Sequence, residues 1–353
     1  MNACVIFCTI RRSKSFGLYA KNFIEYGHKP DVIIIDEEGD TRKQILDEFE
    51  GFNVEFYGSK ERKQWFKENN VDSHIVPART SDVIGFSLLI AYPREYDMLL
   101  FIDDDTYPLQ SNDFLGEHWK NLTTRELKTR FSSNRWVNPH PREYPRGYPY
   151  GLRYSDAYRE EGHKIGSVLN MGLWEKIPDL NALDYLYNGS VEGLFEDSQH
   201  ISSISYILGN GNYMPISRMN MGFLPKIIPA FYQFTGEEYG VGRYGDVFSG
   251  LFLEKIASHL GDNLSFGQPI CTHDKRPRDV FRDIKLEIES IKLNEKLWLI
   301  LDQIELSGDS YSSCYENLSN GLLKYKNEFH LPDFINYLAG KMKEWIQIVE
   351  GRT

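Results

Sequence analysis

Over the first hundred residues, short unbroken apolar runs alternate with segments of helical spacing. ACVIFCTI (3–10), DVIIID (31–36), FNVEFYG (52–58) and YDMLLFID (96–103) read as strands. SFGLYAKNFIEYG (15–27), TRKQILDEFEGF (41–52), KERKQWFKENN (60–70) and TSDVIGFSLLIAYPR (80–94) read as helices, the last with Thr80 or Ser81 as its N-cap. A strand that is apolar along its whole length has both faces buried. Strands of this kind alternating with helices predict an α/β protein with a mostly parallel sheet covered on both sides. In such sheets ligands sit beyond the carboxyl ends of the strands. TIRR, DEEGD and DDDTYP all fall at such ends.

From about residue 106 to 275 the periodicity weakens, and aromatic, Pro and Gly residues crowd into stretches such as NPHPREYPRGYPYGLRYSD. Such loop-rich chain is where substrate recognition is expected. From about 280 the pattern turns helical again. FRDIKLEIESIKLNEKLWLILDQIEL (281–306) reads as one long amphipathic helix and LPDFINYLAGKMKEWIQIVE (331–350) as another. The expected organisation is a catalytic domain over 1–279, divided into a nucleotide-binding half (1–105) and a sugar or acceptor half (106–279). A helical C-terminal extension follows over 280–353. There is no internal repeat and no low-complexity tract.

With 353 residues and 41% hydrophobic content the chain can bury a full core. Its net charge of −11 argues against a nucleic-acid backbone as the main partner. It leaves room for a small phosphate-bearing ligand. Cys4, Cys8, Cys271 and Cys314 show no zinc-like spacing and read as free thiols, as in a reducing compartment. MNACVIFCTIRRSK lacks the layout of a signal peptide, and no run reaches the ~20 apolar residues of a membrane span. A cytoplasmic protein without a transmembrane segment is the expectation. Apolar faces on the C-terminal helices raise the expectation of a homo- or hetero-oligomer.

FIDDDTYPL (101–109) sets three aspartates behind a buried strand. Aspartates are common in turns, but three at a rigid sheet edge concentrate charge that a divalent cation would neutralise. Mg²⁺ or Mn²⁺ takes hard oxygen ligands and completes its shell with water and substrate phosphates. A metal-bridged diphosphate is the ligand this chemistry suits. The layout resembles the Asp-x-Asp motif of the GT-A nucleotide-sugar enzymes, with Asp103 and Asp105 as the x-separated pair.

Further stretches sharpen this. VIFCTIRRSKSF (5–16), the IDDD of 102–105, YPRGYPYGLR (144–153), GLWEKIPDLNA (172–182), MNMGFLPKIIPAFYQF (219–234) and VGRYGDVFSG (241–250) come in this order. Together they resemble the reversibly glycosylated polypeptides, the UDP-arabinopyranose mutase family, over roughly residues 5–275. The resemblance implies a GT-A-like fold, a divalent metal (Mn²⁺ or Mg²⁺), a UDP-sugar substrate, interconversion of pyranose and furanose rings, and glycosylation of an arginine. Carried over, it places Thr9 and Arg11 against the nucleotide, Asp36 at the uracil or ribose, and Arg79 at the diphosphate. Asp103 and Asp105 would bind metal, Asp103 also touching the nucleotide, with Asp104 facing the sugar as a catalytic residue. Arg146 matches the arginine that carries sugar, or else pairs with the phosphates. Asp246 lies where the family has an acid near the sugar. Family loops often carry two adjacent acids there, and here Gly245 takes one of those places. Arg153, Trp174 and Asn220 are expected at the sugar. Tyr148, Tyr150 and Tyr244 are expected to stack or pack. A lone loop histidine is most often structural, yet His273 ends the recognised region where a GT-A enzyme recruits a third metal ligand. Lys275 would reach a phosphate oxygen.

Three functions follow from these residues: a UDP-sugar mutase, a GT-A glycosyltransferase sending sugar to a polysaccharide or glycolipid acceptor, and an inactive sugar-nucleotide-binding scaffold. An intact aspartate triplet speaks against the last.

Overall fold

The computed structural model describes residues 1–37, 40–140, 142–196, 201 and 204–351. It opens with β1 (Ala3–Thr9), α1 (Ser15–Glu25), β2 (Asp31–Asp36), α2 (Arg42–Glu48), β3 (Val54–Tyr57), α3 (Ser59–Glu68), α4 (Gly85–Ala91) and β4 (Met98–Asp103). The middle holds β5 (Thr106–Pro108), α5 (Phe114–Thr123), β6 (Glu126–Ser132), β7 (Tyr158–Ile165), β8 (Leu169–Lys176), α6 (Ala182–Tyr187), β9 (Tyr206–Leu208), β10 (Asn220–Phe223), α7 (Gly245–Leu260) and β11 (Leu264–His273). The chain ends in α8 (Val280–Gln303), α9 (Tyr311–Lys324) and α10 (Pro332–Glu350).

The strands join in one sheet ordered β3-β2-β1-β4-β10-β8-β11-β9-β6-β7, with β5 paired to β11. The first four run parallel, as strands alternating with helices predict; β1, β2 and β4 are apolar nearly throughout, while the edge strand β3 carries Glu55 and is half-buried. Beyond β4 the sheet is mixed: β10 is antiparallel to both β4 and β8, while β11 is parallel to β8. The α/β architecture with flanking helices and a helical C-terminal part is the one the sequence predicts. The segment from 106 to 275 carries more regular structure than its sequence suggests. Strands β5, β9 and β10 are only three or four residues long. Strand β7 (YREEGHKI) is exposed at every position and so shows no apolar alternation. Helix α7 is buried on nearly all sides, which erases the amphipathic period.

Strand register brings distant residues to one edge. Thr9 lies opposite Asp36, and Cys8 opposite Asp103. After the aspartates, β5 turns back along β11 and sets Thr106 opposite His273. The Asp274 amide donates to the Asp105 carbonyl at 2.7 Å, and the Asp103 amide to the Met219 carbonyl at 3.1 Å. Thr80 caps the turn before α4, its Oγ1 accepting from the Asp82 amide at 3.2 Å. Helix α4 stops at Ala91, before Pro93, which has no amide hydrogen and disfavours helix in the residue before it.

The C-terminal helices share one contiguous apolar core with the sheet. Trp345 of α10 is fully buried, lies 5.2 Å from the Tyr232 ring, and donates its indole N–H to the Ile228 carbonyl at 3.0 Å. At 150–250 Å² and ~25 cal/mol per Å², burying such a ring contributes about 4–6 kcal/mol. The four cysteines are free. Among the described residues no helix is long and apolar enough to cross a membrane.

Candidate active site

Two cavities meet at the end of β4. The first, about 820 Å³, is bordered by Thr9, Arg11, Glu37, Arg79 and the three aspartates, a size within the usual range for a small-molecule site. The second, about 140 Å³, is almost wholly polar and includes Arg146, Asp179, Arg243, Asp246, His273 and Lys275. Asp103, Asp105, Ser81 and Arg218 border both.

The aspartates differ sharply in partners. Asp104 accepts from Thr9 Oγ1 at 2.6 Å and Arg11 Nη2 at 3.0 Å. Arg11 Nη2 also reaches Asp105 Oδ2 at 3.4 Å. Burial, with the charge of Asp105 beside it, pushes the Asp103 carboxyl up to about 7. Burial would raise Asp105 too, but His273 and Arg11 hold it below the usual carboxylate range. His273 Nδ1 lies 2.7 Å from the Ile177 carbonyl and must be its N–H donor, which fixes the ring with Nε2 on the aspartate side. That Nε2 stands 3.8 Å from Asp105 Oδ2, too far for a hydrogen bond.

Among the described residues no three His, Cys, Asp or Glu side chains are drawn together as a closed metal site. The donor chemistry nevertheless suits a divalent cation. Two adjacent carboxylates, one poorly neutralised, face an imidazole whose Nε2 is already oriented. Such a half-shell leaves positions for phosphate oxygens and water.

In the second cavity Arg146 uses all five of its N–H donors. Nε and Nη2 donate to Asp179 Oδ1 and Oδ2 at 3.4 and 3.0 Å. Nη1 and Nη2 donate to Asp246 Oδ1 and Oδ2, both at 2.9 Å. The remaining Nη1 hydrogen goes to the Arg243 carbonyl. Burial would lower the Arg146 pKa, but the two carboxylates drive it well above the ordinary arginine range. In return both acids stay ionised: against the opposing pull of burial, Arg146 holds Asp179 and Asp246 below the usual carboxylate range. Arg218 is pinned likewise, donating to Asp82 Oδ1 at 2.7 Å, Gln233 Oε1 at 2.8 Å and Ser81 Oγ at 3.0 Å. Lys275, its pKa pushed down to about 8 by burial, donates to the Tyr185 hydroxyl at 2.8 Å.

Over 352 residues the chain is 27% identical to a probable UDP-arabinopyranose mutase 1 of Pisum sativum, covering 97% of this chain and 89% of the relative. Over 328 residues it is 26% identical to UDP-arabinopyranose mutase 1 of Arabidopsis thaliana, covering 90% and 85%. The chain is a homologue of the UDP-arabinopyranose mutases. The alignment with the pea relative spans more than residues 5–275, so it reaches into the C-terminal helices of this mutase homologue. No family model matches. Among solved structures, glucosyl-3-phosphoglycerate synthase from Mycobacterium tuberculosis in complex with Mn²⁺, UDP and phosphoglyceric acid has a TM-score of 0.42 at 13% identity, covering 83% of this chain and 78% of that one. Mannosyl-3-phosphoglycerate synthase from Rubrobacter xylanophilus has a TM-score of 0.39 at 12% identity, covering 84% and 76%. Likeness at this level says nothing of what the mutase homologue does.

The structure gathers Thr9, Arg11, Arg79 and Asp103–Asp105 at the first cavity, and Arg146, Asp246, His273 and Lys275 at the second. The other expected site residues fall as follows. Asp36 turns away from the first cavity to accept from Thr41 Oγ1 at 2.5 Å, and Glu37 borders the cavity instead. Positions 38 and 39 of the DEEGD turn lie outside the described residues. Asp104 borders the first cavity, where Thr9 and Arg11 hold it. Lys275 borders the second. Arg153 is clamped bidentately to Asp184 and stacks 3.7 Å from the Tyr150 ring centroid, as a strut of the loop. Trp174 lies in the core. Asn220 is wholly buried, donating to the Leu173 and Pro269 carbonyls and pairing with His118, so its amide is spent on the fold.

Sequence reading missed Asp179, Arg218, Arg243 and Asp82. Asp179 sits within GLWEKIPDLNA, just beyond the carboxyl end of β8, which was the available signal. Gly245 explains why the second acid comes from there. A Cβ at 245 would lie 2.2 Å from the Phe234 carbonyl and 2.7 Å from Asp82 Oδ1, so no side chain fits.

Proposed function

We propose that this chain is a metal-dependent UDP-sugar enzyme, a pyranose/furanose mutase acting on UDP-arabinopyranose or a related UDP-sugar. The observation that carries the reading is the pair of cavities: a large one at the parallel strand ends, joined across Asp103 and Asp105 to a small polar one. Nucleotide and sugar would divide between them. The relatives named for UDP-arabinopyranose mutase support the substrate class.

Asp103, Asp105 and His273 would hold Mn²⁺ or Mg²⁺, which when bound supplies positive charge against the diphosphate oxygens. Thr9 and Arg11 fix Asp104, and Arg11 and Arg79 stand ready at the nucleotide. As the anomeric C–O bond breaks, negative charge grows on the departing UDP. Arg218 lies at that boundary and Lys275 in the second cavity, both already oriented, which is how pre-placed charge lowers a barrier. Positive charge develops on the sugar ring, and the ionised carboxylates of Asp179 and Asp246 border its cavity. Arg146 has no N–H to spare for phosphate in this arrangement. For sugar to attach to its Nη2, that nitrogen must give a proton to Asp179 or Asp246, both within 3.0 Å, as it bonds to the anomeric carbon and UDP leaves with the bonding pair.

The test is to incubate the purified protein with UDP-arabinopyranose, UDP-galactose or UDP-glucose and Mn²⁺ without acceptor. UDP-furanose product with protein-bound sugar is expected. UDP release that rises only on adding a glycan acceptor would assign a transferase instead. No turnover together with no metal-dependent UDP binding would overturn both.

A further inference from the structure

Helix α8 lies outside both cavities except through the loops it holds, and its grip on those loops is extensive. Asn294 Nδ2 donates to the carbonyl of Gly147, the residue after Arg146, at 2.7 Å. Glu295 accepts from the Tyr150 amide at 2.5 Å and the Gly151 amide at 3.2 Å. Ser290 Oγ donates to the Gly242 carbonyl at 3.0 Å. Glu287 is completely buried, and its two oxygens serve different segments. Oε2 accepts from the Ala182 amide at 2.6 Å, and Oε1 from Arg243 Nε at 2.7 Å. Ala182 is three residues beyond Asp179. Arg243 is three residues before Asp246, and its carbonyl takes one of the Arg146 hydrogens. Arg243 holds a left-handed backbone (φ 58°), a conformation that costs a non-glycine residue roughly 1 kcal/mol or more and persists only where surroundings enforce it.

We propose that Glu287 is a positioning residue: a single buried carboxylate of the C-terminal helix ties the 179–182 segment to the 243–246 segment and so sets the spacing of Asp179 and Asp246 around Arg146. The inference rests on the reading of the second cavity as the sugar site. Tyr244 also bonds Asn181 directly and Arg146 bridges Asp179 and Asp246; Glu287 is the tie supplied from the C-terminal helices, and it gives them a catalytic purpose. Replacing one oxygen by an amide nitrogen sets donor against donor at either Ala182 or Arg243, with almost no change of volume. The first cavity has no α8 residue on its border, so nucleotide binding should not register the change.

The test is Glu287→Gln, with Glu287→Asp as a second variant in case the first folds poorly. For Glu287→Gln, kcat for UDP-sugar turnover is expected to fall tenfold or more, with UDP affinity in Mn²⁺ within twofold of wild type. Hydrogen exchange should quicken at 146–151 and 243–246 and stay unchanged at 9–11 and 103–105. Glu287→Asp should fall between. Unchanged kcat and exchange would overturn the proposal. So would a parallel loss of kcat, UDP affinity and protection throughout, which marks a merely structural residue. If the wild-type chain turns over no UDP-sugar, the functional reading has failed, and the exchange pattern still decides whether Glu287 sets the two segments.

Discussion

Arg146→Ala is the most informative single change, because the structure states what it leaves behind. The guanidinium is the shared partner of Asp179, largely enclosed, and Asp246, buried, and holds both ionised. Removing one partner of a buried ion pair costs about 3–5 kcal/mol, since the remaining charge is desolvated without compensation. With an unfolding entropy of about 2.1 cal/mol/K per residue, a chain of this length loses about 0.7 kcal/mol per kelvin near its midpoint. The expected drop in Tm at pH 7 is therefore about 4–7 °C, read by calorimetry. The loss must also depend on pH, and the sign is fixed. A carboxylate depressed in the folded state adds stability above its unfolded pKa and loses it as pH falls through the folded one. The gap between wild type and Arg146→Ala should narrow as pH drops below about 4, where the unfolded carboxylates take up protons. Adding Asp179→Asn and Asp246→Asn should restore part of the Tm at pH 7, because the stranded charges are gone. A Tm within 1 °C of wild type, or no recovery in the triple variant, would refute the five-donor clamp. Loss of protein-bound sugar is expected in the same variant, and intact labelling would remove Arg146 from the chemistry.

Asp105→Ala should abolish Mn²⁺-dependent UDP binding; the same UDP affinity before and after EDTA in wild type would discard the metal role. Gly245→Ala should destabilise by about 1–3 kcal/mol through overpacking against the Phe234 carbonyl, and a Tm equal to wild type would show that the backbone yields there. His118 is buried between Asn220 and Asn170, and burial pushes its pKa down to about 3 from 6.5. Protonation is thus easier unfolded, and stability should decline from about pH 6.5 toward 3, by up to roughly 1.4 kcal/mol per unit. Urea midpoints for His118→Gln should show a flatter slope over that window, and an equal slope would locate the titration elsewhere.

The first hundred residues were legible because β1, β2 and β4 are buried on both faces and so write themselves as unbroken apolar runs. The end of each such run marks the ligand edge, and Thr9, Arg11 and the aspartates were found that way. The middle of the chain was not, because its geometry depends on long-range contacts that leave no period. His273 meets Asp105 only because β5 folds back along β11, and β5 is three residues long. Asn220 and Trp174 sit in motifs shared with the named family, but a motif can encode a buried polar network or a packed ring as readily as a ligand contact. Helix α9 had a visible signal: Tyr311, Cys314, Tyr315, Leu318 and Leu322 recur at helical spacing, with Ser310 and Ser313 forming its capping box.

On the proposed reading the metal and diphosphate sit where the two cavities join, so the charges around the second cavity bear on how they bind. Asp82, Asp103, Asp105, Asp179 and Asp246 face Arg146, Arg218, Arg243, Lys275 and Arg278, five acids against five bases. The lining is close to neutral before anything binds, and most of its cations are committed to those acids. A doubly ionised diphosphate entering alone would therefore find little free positive charge, and a divalent cation entering alone would find little net attraction. Together they leave the balance unchanged. Metal and nucleotide should then bind cooperatively, and by linkage each must raise the affinity of the other by the same factor. Calorimetry should show UDP binding at least tenfold tighter in Mn²⁺ than in EDTA, with Mn²⁺ tightened equally by UDP. Asp103→Asn removes one acid from the balance and should shrink that factor, chiefly by strengthening UDP binding in EDTA. If UDP binds equally well with and without Mn²⁺ in wild type, the cations of the first cavity, Arg11 and Arg79 among them, carry the diphosphate by themselves and the charge-balance argument is wrong.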